Sequence, residues 1–181
     1  MDDIVKQALI KWPNVPDCYG WLGLDARGNW YVRDESVQAR GLFSNGPRQI
    51  RGSRLEHARL IEFIGRNYAP DASGQWFFQN GPQRVYVELE ATPFIWHLDS
   101  AFNVSSHNAC SAQVRSAVLD EDGRLYLQTD IGFGLVHSMD MGYASDALDQ
   151  GLWQFDAMRC EDLPAYFRFV RSPQSCKLKA S

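Results

Sequence analysis

Four residues in the second half of the chain are of the types that bind metals or activate nucleophiles: His97, Asp99, His107 and Cys110. His97 and Asp99 sit at i and i+2, a spacing that on a strand points both side chains to one face. His107 and Cys110, three apart, would add two donors from a turn, and all four residue types ligate zinc. The paired spacings of zinc ribbons and fingers are missing, however, and the intervening AFNVSS has no glycine-rich knuckle to bring the pairs together. The same group also reads as a Cys110 nucleophile with His107 as base and Asp99 as orienter, an arrangement for acyl transfer. No cysteine-protease motif frames it, and a catalytic Cys–His contact is ordinarily assembled from separate elements. The expectation is strand-edge histidines, with no metal and no cofactor.

Other candidates are weaker in chemistry or wider in spacing. Glu88 and Glu90 share one face of a strand, but nothing in the sequence would split their proton affinities as acid–base work requires, so a solvated face is expected. His137 and Asp140, in GLVHSMDMGY, lie where a strand ends, a position at which binding residues gather. The six tryptophans are spread over separate elements and read as core anchors, although Trp30 and Trp76 follow similar turns and could flank a shared groove.

Charge supplies the strongest signal. From Arg33 to Arg66 there are seven arginines and four acids, a local balance of +3 in a chain of net charge −4. Arg48, Arg51 and Arg54 lead into Gly52-Ser53, which reads as a helix start. Free amides and the helix dipole would there join the guanidinium groups in holding a phosphate or carboxylate. The competing reading is a basic loop paired with the molecule's own acidic strands.

The elements that must position these residues announce themselves through one repeated corner: DARGNWYVR from Asp25, DASGQWFFQ from Asp71 and DEDGRLYLQ from Asp120. In each, an aspartate can accept turn amides, a glycine takes the positive-φ position, and an aromatic-rich strand leaves the turn. CYGWLGL and RSAVL supply first arms for the corners at Asp25 and Asp120, so at most those two hairpins descend from a duplication. Asn80-Gly81-Pro82 predicts a hairpin with two positive-φ residues, followed by QRVYVELE with Val85, Val87 and Leu89 on a core face and Tyr86, Glu88 and Glu90 on a wet one. PFIWHL, RLYLQT, GFGLVHS and LWQFDAM are further strand candidates. SRLEHARLIEFIGRNY predicts a helix over about 53–67 with Ser53 as its cap, and a second helix is expected over 2–11, halted near Pro13. EDLPAYFRFV predicts a short helix or strand, and the SCKLKAS tail a frayed end.

These corners, with the V-Y-V-E-L-E-A-T-P-F stretch, give the chain from Gly28 to Phe94 a resemblance. It is similar to an uncharacterised proteobacterial family of about this size, whose members carry D-G-x-W-[FY] turns, a short helix and an I-x-V-E-D-x-P-F strand. The resemblance implies a β-rich, pleckstrin-homology-like build, and it carries no activity and no functional residue with it. The long segment 34–52 and the second half depart from the pattern.

Composition sets the outer bounds. With 45% hydrophobic and 13% aromatic residues in 181, the chain can bury one sizeable core, or two small β-rich subdomains at about 15–98 and 99–170 sharing one core. The net charge gives no nucleic-acid footprint, and no apolar run approaches the ~20 residues of a membrane span. The N-terminus lacks the basic and apolar regions of a signal peptide, so a cytoplasmic location is expected, with the four scattered cysteines as reduced thiols. The reading is an α+β fold, mainly antiparallel, either pleckstrin-homology-like or a curved sheet or partial barrel. The expected function is a small binding or interaction module for an anionic small molecule or an acidic partner segment, through Arg48, Arg51, Gly52, Ser53 and Arg54. The competing class is a metal-dependent hydrolase using His97, Asp99 and His107.

Overall fold

Each aspartate–glycine corner closes a hairpin in the computed structural model, which describes residues 1–43 and 50–180. Gly28, Gly74 and Gly123 take φ of 80°, 81° and 74°, the left-handed region that glycine enters without steric cost. Asp25, Asp71 and Asp120 accept the amides of Asn29, Gln75 and Arg124 at 2.8, 3.0 and 2.8 Å. A fourth corner has the same bonding: Asp99 accepts the amides of Ala101 and Asn103 at 2.9 and 3.0 Å, with Phe102 at φ 62° in the glycine's place. That phenylalanine hides the corner from a pattern built on glycine.

The chain divides into two compact units. Met1–Asp25, Asn29–Glu90 and Phe169–Ser181 form the first, and Ala26–Gly28 and Ala91–Arg168 the second. The first begins with helix α1 (Asp3–Lys11), which buries Val5 and stops before Pro13 as expected. Strands β1 (Cys18–Leu24), β2 (Trp30–Val32) and β3 (Ser53–Arg54) form one antiparallel run, with the one-turn helix α2 (Glu35–Gln38) between β2 and β3. Helix α3 (Ala58–Arg66) leads to a second run, β4 (Tyr68–Pro70), β5 (Trp76–Asn80) and β6 (Gln83–Leu89). The two runs join through β1 and β6, which are parallel, in the order β3-β2-β1-β6-β5-β4.

The second unit repeats this wiring. Strands β7 (Phe94–Leu98), β8 (Val104–Ser106) and β9 (Ser111–Ala112) form one run, and β10 (Val114–Leu119), β11 (Leu125–Thr129) and β12 (Phe133–Val136) another. Again the first strand of one run, β7, lies parallel to the last strand of the other, β12. After helix α4 (Met141–Asp149), β13 (Phe155–Ala157) extends the sheet beside β10, giving β13-β10-β11-β12-β7-β8-β9. Helix α5 (Leu163–Tyr166) closes the unit, and α6 (Pro173–Ala180) returns to the first. Every aspartate corner joins the first and second strands of its run. By position Asp25 therefore answers to Asp99 and Asp71 to Asp120, a different pairing from the Asp25–Asp120 duplication that the apolar first arms suggested.

The fold is α+β and mainly antiparallel as read, but local expectations need correcting. Helix α3 begins at Ala58, because Ser53 and Arg54 are paired with Val32 and Tyr31. His57, not Ser53, caps it, its ring accepting the Leu60 amide at 3.3 Å. In the β5–β6 hairpin Asn80 pairs with Gln83, so the loop is Gly81-Pro82 and only Gly81 has positive φ. The face of β6 expected to be wet is covered: Tyr86 stacks on Tyr19 with ring centroids 4.5 Å apart, and Glu88 is fully buried. The tail is a helix. Trp30 and Trp76 are core rather than groove walls, both packed against Tyr68.

Candidate functional site

Parallel pairing of β7 with β12 sets Trp96 opposite Val136. The next residues along, His97 and His137, therefore emerge side by side at the ends of adjacent strands. Their ring centroids lie 4.7 Å apart, and the His137 amide donates to the Trp96 carbonyl at 2.8 Å. Beyond His137 the chain enters a 3-10 turn, Ser138–Asp140, capped by the His137 ring, whose Nδ1 accepts the Met139 amide at 3.2 Å. One turn of that pitch brings Asp140 back over β7. Its Oδ2 lies 2.9 Å from His97 Nδ1 and accepts the Leu98 amide at 3.4 Å.

Two imidazoles and a carboxylate thus converge, with one ligand atom from each within 4.8 Å of the others. The strands beneath are firm. Trp96 and Val136 are buried, and the Trp96 indole donates to the Leu127 carbonyl at 3.0 Å. The group itself is accessible, the side chain of His97 being 42% exposed and that of Asp140 17%. Such a set can hold a divalent cation, or bind a ligand that offers hydrogen-bond donors and acceptors.

The grouping expected from sequence is rearranged. His97 keeps its place, but Asp99 is spent inside its own corner, exposed, with its carboxyl held below the ordinary range by the side chain and backbone of Asn103. His107 turns Nδ1 toward the Ile95 amide at 3.3 Å and sets its ring beside Phe94. Cys110 is exposed, and its amide donates to Ser106 Oγ at 3.1 Å.

In the basic segment, Arg48 lies outside the described residues. Arg51 is largely buried and reaches two acids of its own unit: Glu90, through a hydrogen-bonded ion pair, and Asp25 at 3.6 Å. At Gly52, φ is 91° and an added Cβ would lie 2.2 Å from the Val32 carbonyl oxygen, so this glycine serves the close approach of β2 and β3. Ser53 and Arg54 are exposed on β3, the edge strand.

The model of the DUF2944 family, described as a protein of unknown function (DUF2946), matches residues 1–175. The chain belongs to this family. No curated protein matches it. Among solved structures it is similar to a DUF1285 family protein from Silicibacter pomeroyi DSS-3, at 10% identity and a TM-score of 0.48, over 81% of this chain and 84% of that one. It is also similar to a DUF1285 family protein from Shewanella baltica OS155, at 14% identity and a TM-score of 0.46, over 70% of this chain and 91% of that one.

The burial of two charged residues in this family member differs from the sequence expectation. Arg33 is fully buried and donates to the carbonyls of Gly20 and Gly41 at 3.2 and 2.5 Å. Burial lowers its proton affinity, against the pull of Glu88. Burial likewise raises Glu88 above the ordinary carboxylate range, opposed by bonds from Ser172 and the Gln174 amide and by the charge of Arg33. The available clue was the unbroken apolar flank of Glu88 in VYVELE, which fits a strand covered on both faces.

Proposed function

We propose that this chain is a small binding module whose ligand is taken in the second unit, at the adjoining ends of β7 and β12. The observation that carries the reading is the convergence of His97, His137 and Asp140. These come from segments about forty residues apart, are aligned by strand register, and stay accessible to solvent. Polar groups buried in a fold are normally satisfied by internal partners, as Glu88 is. Binding residues are more often carried at strand ends above a rigid sheet.

The test is a nuclear magnetic resonance screen of the chelator-treated chain against small carboxylates, phosphates, amines and alcohols, read at the histidine ring signals. Binding fragments are expected to shift His97 and His137 together while His57 and His107 stay still.

A second reading keeps the anionic small molecule or acidic partner segment at the basic stretch. It is favoured by the exposure of Ser53 and Arg54 on edge strand β3, where an extended acidic segment could add to the sheet. Fragment-induced shifts confined to the amides of residues 50–55 would transfer the site there.

A further inference from the structure

Resting on the reading that the β7–β12 end is the ligand site, we propose that its ligand includes a divalent first-row transition-metal ion, zinc being the default. His97, His137 and Asp140 are the protein ligands. The donor set comes first. Two imidazole nitrogens and one carboxylate oxygen suit zinc, iron(II) or nickel, whereas magnesium and calcium ask for all-oxygen shells.

Geometry agrees with the donor set. An ion bonded at about 2.0–2.2 Å holds tetrahedral donors roughly 3.4 Å apart. The three ligand atoms here already lie within 4.8 Å of one another, and the His97–Asp140 pair stands at 2.9 Å. The remaining adjustment falls to side-chain torsions, which the 42% exposure of the His97 side chain leaves free to turn. The backbones need not move. His137 is tied to Trp96 by its amide, and Asp140 to His137 by its own at 2.9 Å.

The exchange is inexpensive. Loading replaces the His97–Asp140 hydrogen bond with two metal bonds, and it gives up the 3.2 Å contact from the Met139 amide to His137 Nδ1, because that ring must offer a lone pair to the ion. A part-buried His–Asp pair open to solvent on the histidine side contributes modestly to stability. It would also have no use for a second imidazole stacked beside the first. Three protein ligands leave at least one coordination position for water or for a donor atom of a bound molecule, the pattern of open rather than structural zinc sites. The hydrolase class suggested by the sequence would act through this set, with His137 and Asp140 in place of His107 and Asp99.

The test uses the full chain without an affinity tag, stripped with chelator and dialysed. Zinc alone and cobalt(II) alone are titrated by calorimetry, and the cobalt complex is read by its visible absorption. Expected is one ion per chain, with a four- or five-coordinate cobalt spectrum. His137→Ala and Asp140→Asn should each weaken affinity by at least about tenfold, equivalent to ~1.4 kcal/mol, while His107→Ala and Asp99→Asn leave it unchanged. Circular dichroism melts of the stripped variants establish that each is folded, and the wild-type cobalt spectrum stands independently of any variant.

Absence of stoichiometric binding, or binding indifferent to His137 and Asp140, overturns the metal. If fragments still shift His97 and His137 in the stripped protein, only the metal falls and the binding reading stands. Fragment shifts at residues 50–55 without metal binding would overturn both.

Discussion

The carboxylate of Glu88, on a fully buried strand position, accepts the backbone N–H of Gln174 at 2.9 Å. It also accepts the Ser172 hydroxyl at 2.5 Å, and Ser172 in turn accepts the Ser175 amide at 3.3 Å, so strand β6 caps the first turn of α6. Glu88→Ala removes the acceptor of these half-buried donors and should cost roughly 1–3 kcal/mol in denaturant unfolding. The pH dependence has a definite sign. Burial raises the folded proton affinity of Glu88 above the unfolded one. The resulting stability is therefore full below the ordinary glutamate range and is lost as pH rises through the raised folded value. Glu88→Gln removes that slope. The melting temperature of the wild type relative to Glu88→Gln should fall as pH climbs from the carboxylate range toward neutrality, and a flat difference would show that Glu88 is not held back from ionising.

The corner glycines separate two causes of strain. Around Gly123 an added Cβ meets nothing within 4 Å, so Gly123→Ala tests backbone strain alone and should cost about 1–2 kcal/mol at its φ of 74°. At Gly28 the added Cβ would also lie 2.7 Å from the Cβ of His107, so Gly28→Ala should cost more. Equal losses in paired unfolding curves would mean that the neighbourhood of Gly28 yields freely.

Three of the corners are completed by a tyrosine: Tyr31 on Asp25 at 3.3 Å, Tyr86 on Asp71 at 3.1 Å and Tyr126 on Asp120 at 2.8 Å. Burial together with the aspartate's hydrogen bond raises Tyr126, and burial with the same kind of bond brings Tyr86 up to about 12. Tyr126→Phe removes a donor from the buried Asp120 and should cost roughly 1.5–3 kcal/mol, the range for hydrogen bonds to charged groups. Spectrophotometric titration should show Tyr86 and Tyr126 ionising only above the ordinary tyrosine range. Early ionisation of Tyr126 would contradict the buried bond.

What could be read from residues alone follows the range of the forces involved. The corners were legible because the requirement for positive φ is local, and Gly28, Gly74 and Gly123 meet it. The corner at Asp99 was not, since Phe102 tolerates the same conformation only within its fold. Strand existence was legible from β-branched and aromatic runs, whereas the pairing of β7 with β12, forty residues apart, is a long-range choice that local pattern does not encode. The candidate site suffered for that reason. His97, His137 and Asp140 were each conspicuous, but without the register nothing joined them, and Asp99 and His107 were nearer in sequence. Glu88 looked solvated for a related reason: the helix that covers it lies more than eighty residues downstream.

Arg51 and Arg54 stand close in sequence and far apart in role, and their substitution should show it. Arg51 bridges Asp25, whose side chain is 3% exposed, and Glu90, at 27%. Removing the guanidinium takes one charged partner from each carboxylate, and Asp25 is shut away from water. Arg51→Ala should therefore lower stability by roughly 1–3 kcal/mol, as expected when a buried carboxylate loses one of its donors. Added salt should recover only a small part of the loss, because ions screen buried charges poorly. Arg54, exposed on β3, should change stability by no more than about 0.5 kcal/mol on replacement by alanine. Its loss would matter for an anion bound at the sheet edge. A double substitution of both arginines would confuse these effects, since unfolding would imitate lost binding. Only the single variants, compared by urea unfolding and by phosphate titration, keep them apart: a stable Arg51→Ala would show that the Arg51 bridge to Asp25 and Glu90 is dispensable, and a destabilised Arg54→Ala would tie β3 more firmly to the fold than its exposure implies.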